Sequence, residues 1–256
     1  YCRKLQERPF PPPLSQGMSM DGYRILREMH ASKRTQVYLA VDEENGERVV
    51  LKTPSVNYVD DPGYLQLFTR EEWAGKRIDS PHVLKVVEPK RPRQFLYYVV
   101  EYIEGQTLRQ WMHDNPEPDL NEMREIVGQI ALGLRAFHRK EMIHQDLKPE
   151  NIVIDKYGTV KIIDFGSVKI AGLEEIAAPV KGPSLLGTVD YSAPEYILGH
   201  AVSNRADIYS LGVIAYEMLT GKHPYGKGFS AKRHVGKCRY APAALHNPGV
   251  PAWIDG

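Results

Sequence analysis

The sequence is short of the features that mark several protein classes. Its 256 residues include two cysteines, Cys2 and Cys238. Their separation gives no metal-ligand spacing and no disulfide framework, so a reducing, cytoplasmic setting is the simplest expectation. No apolar run is long enough to cross a bilayer, and no signal peptide is visible. Net charge is only +1, so no global basic field points to nucleic acid. With 42% apolar and 25% charged residues, the composition is that of an ordinary folded domain or a pair of them.

A fourth lack is local. The stretch REMHASKRTQVYLAVDEENGERVVLK, residues 27–52, ends like a strand presenting a lysine. Its first turn stands where a phosphate-cradling hairpin would carry glycines, yet it holds His30, Ser32 and Thr35. Backbone amides reach a phosphate only where no Cβ keeps it away. Two compensations are open: hydroxyl donors on Ser32 and Thr35, and side-chain charge on Lys33 and Arg34. A merely solvated turn is the alternative.

Elsewhere the pattern divides in two. RPFPPPLSQG, residues 8–17, is proline-rich and reads as an extended linker. From Asp21 to about residue 103, strand-like runs alternate with turns, Asn45-Gly46 giving a hairpin signal, and residues 64–79 read as the one helix. Beyond that, Met123, Ile126, Val127, Ile130, Leu134 and Phe137 recur at helical spacing over 121–138, with Asp119 and Glu122 as a candidate capping box. Residues 204–221 are apolar nearly all round and predict a buried helix.

The stretch IHQDLKPENIVIDKYGTVKIIDFGS, residues 143–167, carries the chemistry. It offers Asp146, Lys148 and Asn151, then Asp164 before Phe165 and Gly166. Phosphoryl transfer asks for a carboxylate to orient a hydroxyl, a cation near the transferring group and oxygen ligands for Mg²⁺. These residues supply that set. His144 reads as a structural residue behind the loop.

Taken together with DFG, APE at 193–195 and ADIYSLGVIAYEMLTGKHPY, the chain from about residue 21 resembles the eukaryotic-like protein serine/threonine kinases. The resemblance implies an α+β, two-lobed protein-kinase fold: a small antiparallel-sheet lobe with one main helix over 21–103, and a mostly helical lobe over 104–256 that stops before its last helix. It implies ATP and Mg²⁺ as cofactors and a protein as substrate. Asp146 would be the base, Lys148 would neutralise the γ-phosphate, and Asn151 and Asp164 would hold Mg²⁺. Lys52 would grip the phosphates, paired with Glu71 or with its neighbour Glu72. Glu101 and Ile103 would meet the adenine edge, with Val37, Val50 and Val153 around the base and Ser32 and Thr35 near the phosphates. Asp207 would brace the catalytic loop.

Several positions depart from that pattern. Gln145 replaces an arginine that meets an activation-segment phosphate, so activity is expected to be independent of phosphorylation at Ser184 or Thr188. Gly75 stands where a large apolar residue is usual, and Val50 replaces an alanine. Glu195 would be buried without its arginine partner, so a longer segment is expected to be more stable. The glycine-free turn, with EEW, SPHVLK and YIEGQTLRQWM, resembles the kinase half of bacterial fusions in which a phosphatase domain precedes the kinase and a membrane anchor often follows. Residues 1–20 would then be the linker. The rival reading is a pseudokinase-like nucleotide-sensing or scaffolding module that regulates an attached phosphatase. A small-molecule kinase is disfavoured by GTVDYSAPE, residues 187–195.

Overall fold

The computed structural model describes residues 8–170, 189–226 and 239–255. Ser184 and Thr188 lie outside the described residues. The chain forms two units: one of the residues through Asp79 with Leu84–Glu104, the other of Ser80–Val83 with Gly105 onward.

The first unit is a six-stranded antiparallel sheet. In chain order its strands are β1 (Ser19–Met20), β2 (Tyr23–Ala31), β3 (Thr35–Asp42), β4 (Arg48–Pro54), β5 (Val86–Val87) and β6 (Tyr98–Glu101), and their order in space is β1-β2-β3-β4-β6-β5. The Asn45-Gly46 signal does make the β3–β4 hairpin, with Gly46 at φ +74°, a backbone state that favours glycine. Between β4 and β5 runs helix α1 (Pro62–Gly75), started by Pro62 and capped by the Asp61 side chain on the Tyr64 amide at 3.0 Å.

Alternation along the strands gives the sheet two different faces. Tyr38, Ala40, Val49, Leu51, Tyr97 and Val99 form a buried core on one face with Met20, Tyr23 and Ile25. Val37, Val50 and Lys52 occupy the intervening positions, with Val37 directly opposite Lys52 and Lys52 opposite Tyr98.

The proline-rich segment differs from the sequence expectation: residues 8–20 are part of this unit, not a free linker. Pro11 is buried, Leu14 packs against the core, and Met20 is 4% exposed within it. The Leu96 amide donates to the Pro9 carbonyl at 2.9 Å, and Gly17 and Met18 bond the backbone of Ile25 at 2.9 and 2.8 Å. Prolines donate no amide, but their carbonyls accept, so an extended proline-rich run can still be tied along a sheet that offers donors and apolar surface.

The second unit is built on helices. They are α2 (Leu108–Asp114), α3 (Leu120–His138), α4 (Pro194–Leu198) and α5 (Arg205–Thr220). Asp119 caps α3, accepting from the amides of Asn121 and Glu122 at 2.9 and 3.3 Å. Met123, Ile126, Ile130, Leu134 and Phe137 form its buried face, and α5 is buried over most of its circumference. Short strands complete the unit. β7 (Gly105–Thr107), β9 (Ile152–Asp155) and β10 (Val160–Ile162) make one sheet, and β8 (Met142–Ile143) pairs with β11 (Lys169–Ile170).

Residues 80–83 belong with this second unit, within the span that the sequence assigns to the small lobe. Val83 bridges Ile162, and the His82 carbonyl accepts the Ile162 amide at 3.0 Å. Gly133 of α3 permits that approach, because a Cβ there would lie 2.8 Å from the His82 carbonyl oxygen.

Candidate active site

Four of the expected chemical residues stand on one loop system in the second unit. β8 leads into residues 144–151, and β9 and β10 form the hairpin that leads to Asp164. β11 then returns to β8, pairing Lys169 with Ile143. The Ile163 amide donates to the Asn151 carbonyl at 3.0 Å, which ties the two clusters together.

Within the loop, the Asp146 carboxylate accepts from Lys148 Nζ at 2.9 Å and from Asn151 Nδ2 at 3.3 Å. Asn151 Nδ2 also donates to the Asp146 carbonyl at 2.9 Å. The Asn151 amide group is thus turned so that its nitrogen faces Asp146, which leaves its oxygen as the metal-facing atom. Asp164 accepts the Gly166 amide at 2.9 Å.

The loop is held from inside by Asp207 of α5, which is fully buried. Its carboxylate accepts the amides of His144 and Gln145, each at 2.9 Å, and pairs with His138 Nε2 at 2.8 Å. Gln145 adopts φ +68°, a left-handed state that costs a non-glycine residue energy and persists where surrounding bonds enforce it. His144 is 1% exposed and packs edge-on to Phe137, as a structural residue would. Phe165 packs on the same Phe137 ring.

In the first unit, Lys52 donates to Glu71 of α1 at 2.8 Å, both side chains being largely buried. Glu72 is otherwise engaged, with Lys76 at 3.0 Å and Arg93 at 3.2 Å. Glu101 accepts the Lys85 amide through its side chain at 2.8 Å, and its own amide bonds the Lys85 carbonyl at 3.0 Å. The Ile103 amide makes no backbone hydrogen bond among the described residues, which leaves it available to a ligand. Val37 and Val50 share the Lys52 face of the sheet, and Val153 lies on β9 of the second unit.

The glycine-free turn holds itself. Ser32 Oγ accepts the amides of Arg34 and Thr35 at 3.2 and 2.9 Å, and the Ser32 amide donates to the Thr35 carbonyl at 2.9 Å. The Ser32 hydroxyl also donates to that carbonyl at 3.1 Å. Two amides that a glycine-rich turn would present to phosphate are therefore bonded within the turn. The Arg34 guanidinium lies 6.0 Å from the Tyr58 ring, whereas Lys33 is an exposed charge at the tip.

Other organising residues carry no signal in their local sequence. Arg109 of α2 bonds Glu150 beside the catalytic loop at 2.8 Å and Glu217 of α5 at 2.7 Å, and it also reaches the Tyr191 hydroxyl. Burial works to lower the Arg109 pKa, but the bonds to Glu217 and Glu150 outweigh it and hold the guanidinium charged. Burial, reinforced by Glu217, pushes the Tyr191 hydroxyl well above its usual range. These partners are far apart in sequence, so no spacing reveals them. Glu195 is only partly buried and makes no ion pair among the described residues, so the penalty expected for a buried carboxylate is reduced.

Residues 23–246 match the protein kinase domain family. Serine/threonine-protein kinase PrkC of Bacillus subtilis is 32% identical over 240 residues, covering 91% of this chain and 36% of the relative. Serine/threonine-protein kinase PknA of Mycobacterium tuberculosis is 32% identical over 216 residues, covering 82% and 49%. The crystal structure of the Mycobacterium tuberculosis PknI kinase domain is similar at a TM-score of 0.70 and 25% identity, over 96% of this chain and 89% of that one. The chain thus spans about a third to a half of the length of these curated relatives. A match over this much of its own length makes the chain a member of the protein kinase family, among the bacterial serine/threonine kinases.

Proposed function

We propose that this chain catalyses transfer of the γ-phosphoryl group of ATP to serine or threonine hydroxyls of a protein. The observation that carries the reading is the Asp146 carboxylate, held by Lys148 at 2.9 Å and Asn151 at 3.3 Å on a loop pinned by buried Asp207. That carboxylate orients the substrate hydroxyl and accepts its proton, while Lys148 offsets negative charge on the transferring group. Lys52, held by Glu71, engages the phosphates, and the Glu101 carbonyl and Ile103 amide take the adenine edge.

The donor set fits Mg²⁺. No group of three or more His, Cys, Asp or Glu side chains forms a metal cage among the described residues, which suits an ion held by one or two protein oxygens and the nucleotide phosphates. Asn151 and Asp164 would hold it; when bound, the ion neutralises phosphate charge and orients the γ-phosphoryl group. Family membership and the intact set Lys52, Glu71, Asp146, Lys148, Asn151 and Asp164 favour this reading over a scaffolding role, which rests on the substituted turn.

The full-length partners follow from the same resemblance: a protein substrate, a phosphatase domain upstream and a membrane anchor downstream, with the kinase in the cytoplasm. Among the described residues no helix is long and apolar enough to cross a membrane.

The test is transfer from labelled ATP, with Mg²⁺, to a basic protein substrate, beside Asp146→Ala. The variant should lose about 10²–10⁴-fold in kcat while still binding ATP. Equal transfer by both proteins would remove Asp146 from its role.

A further inference from the structure

The self-bonded turn needs something outside itself to fix its position, since its amides hold only one another. That something is Tyr64, which the sequence pattern does not single out. Its hydroxyl donates to the Arg34 carbonyl at the end of the turn. The Ser55 amide, just after β4, donates to the Tyr64 hydroxyl at 3.2 Å and to the same Arg34 carbonyl at 2.8 Å. The Thr35 hydroxyl also faces Tyr64. One side chain of the helix thus joins the turn, the end of β4 and the first turn of α1.

Tyr64 is also rigid. It is 7% exposed, with Tyr58 stacked on one side at 4.9 Å and Phe68 on the other at 6.4 Å. Phe68 continues to Tyr98 at 5.3 Å, and Lys52 Nζ stands 5.7 Å from the Tyr98 ring. Glu71 lies seven residues after Tyr64, two helical turns along the same face. The turn and the Lys52–Glu71 pair therefore sit at the two ends of one packed rod within a single unit.

We propose that Tyr64 is a positioning residue for the nucleotide: its hydroxyl latches the glycine-free turn to the helix that carries Glu71, so that turn and phosphate lysine hold one geometry. The latch rests on the proposed nucleotide role of Lys52. It replaces, with a side-chain tie from behind, the order that phosphate-bound amides would give the turn from in front. Burial pushes the Tyr64 hydroxyl above its usual pKa, so it stays protonated and able to donate throughout the neutral range.

Tyr64→Phe isolates the hydroxyl. The ring stack stays, and the Arg34 carbonyl and Ser55 amide keep each other as partners, so no buried backbone group is orphaned. The variant should keep its Tm within about 2 °C. It should raise KM for ATP roughly three- to tenfold, with kcat within about twofold of wild type. Without nucleotide, hydrogen exchange over residues 32–36 should quicken while that of residues 66–75 stays as it was. Unchanged KM and exchange would overturn the latch and leave the kinase reading intact. A KM rise accompanied by a Tm fall of more than about 5 °C would make Tyr64 merely structural and overturn it equally. A wild-type protein that binds no ATP by direct titration would remove the nucleotide site, and the latch with it.

Discussion

The catalytic loop and the glycine-free turn are both short polar segments without regular structure, yet they are anchored in opposite ways. Residues 144–151 hang on Asp207, a carboxylate with no solvent exposure that takes two loop amides and a histidine. Residues 32–35 hang on the hydroxyl of exposed Ser32 and on the latch behind it. A buried charge that meets all its partners makes a geometry expensive to leave, because each freed group would lose both its bond and its access to water. An exposed hydroxyl can be replaced by water at small cost. The chemistry is therefore rigid at the base and adjustable at the turn, the division expected where a substrate hydroxyl must be placed closely and a nucleotide must enter and leave.

The strongest way to break the contrast is Asp207→Ala. It leaves the amides of His144 and Gln145 buried without an acceptor and releases the strained backbone at Gln145. Stability should fall by about 3–5 kcal/mol in denaturant titrations, and any folded remainder should have lost transfer. A loss below about 1 kcal/mol would mean that the loop is held by its strands alone.

Acid titration sharpens the comparison within the first unit. Burial alone would raise the Asp42 pKa, but the Glu44 amide and Arg91, which bonds it at 2.7 Å, hold it below its ordinary 3.8. The unfolded carboxyl takes up its proton at the higher pH, so this contribution is complete above the ordinary value and is lost as pH falls through the lowered one. The stability advantage of wild type over Arg91→Gln should therefore shrink steadily below about pH 4. An advantage independent of pH would assign Arg91 to packing on the Tyr23 ring, 4.9 Å away.

The smallest effect belongs to Ser32→Ala. It frees the amides of Arg34 and Thr35 where water can reach them, so thermal unfolding should change by about 0.5 kcal/mol or less. A change comparable to that of Asp207→Ala would erase the distinction between the two anchors.

How far the sequence reaches differs between the segments in the same sense. HQDLKPEN and DFG are legible because phosphoryl transfer constrains residue type and spacing along a short stretch, and Asp146, Lys148 and Asn151 do meet within one loop. The helix 120–138 is legible from its period and its cap, since both are local. Ser32 was legible as a hydroxyl but not as one already bonded inside its own turn. Composition made residues 8–17 a linker because proline excludes helix and central strand, but composition does not show that the Tyr97 and Tyr38 face of the sheet lies ready to receive them. Residues 80–83 follow the small-unit helix in sequence, but their backbone bonds fall on β10.

The sequence by itself determined the family, the antiparallel sheet with its single long helix, and the identities of the chemical residues, because each is written in short-range pattern. Only the tertiary structure decided which glutamate takes Lys52, what pins the catalytic loop, and what holds a turn without glycine. Glu71 and Glu72 are adjacent and chemically alike; the choice between them was made when Arg93 and Lys76 took Glu72 and the helix face turned Glu71 toward β4. Tyr64 and Arg34 stand 30 residues apart, and a bond between such residues exists only once two elements have packed.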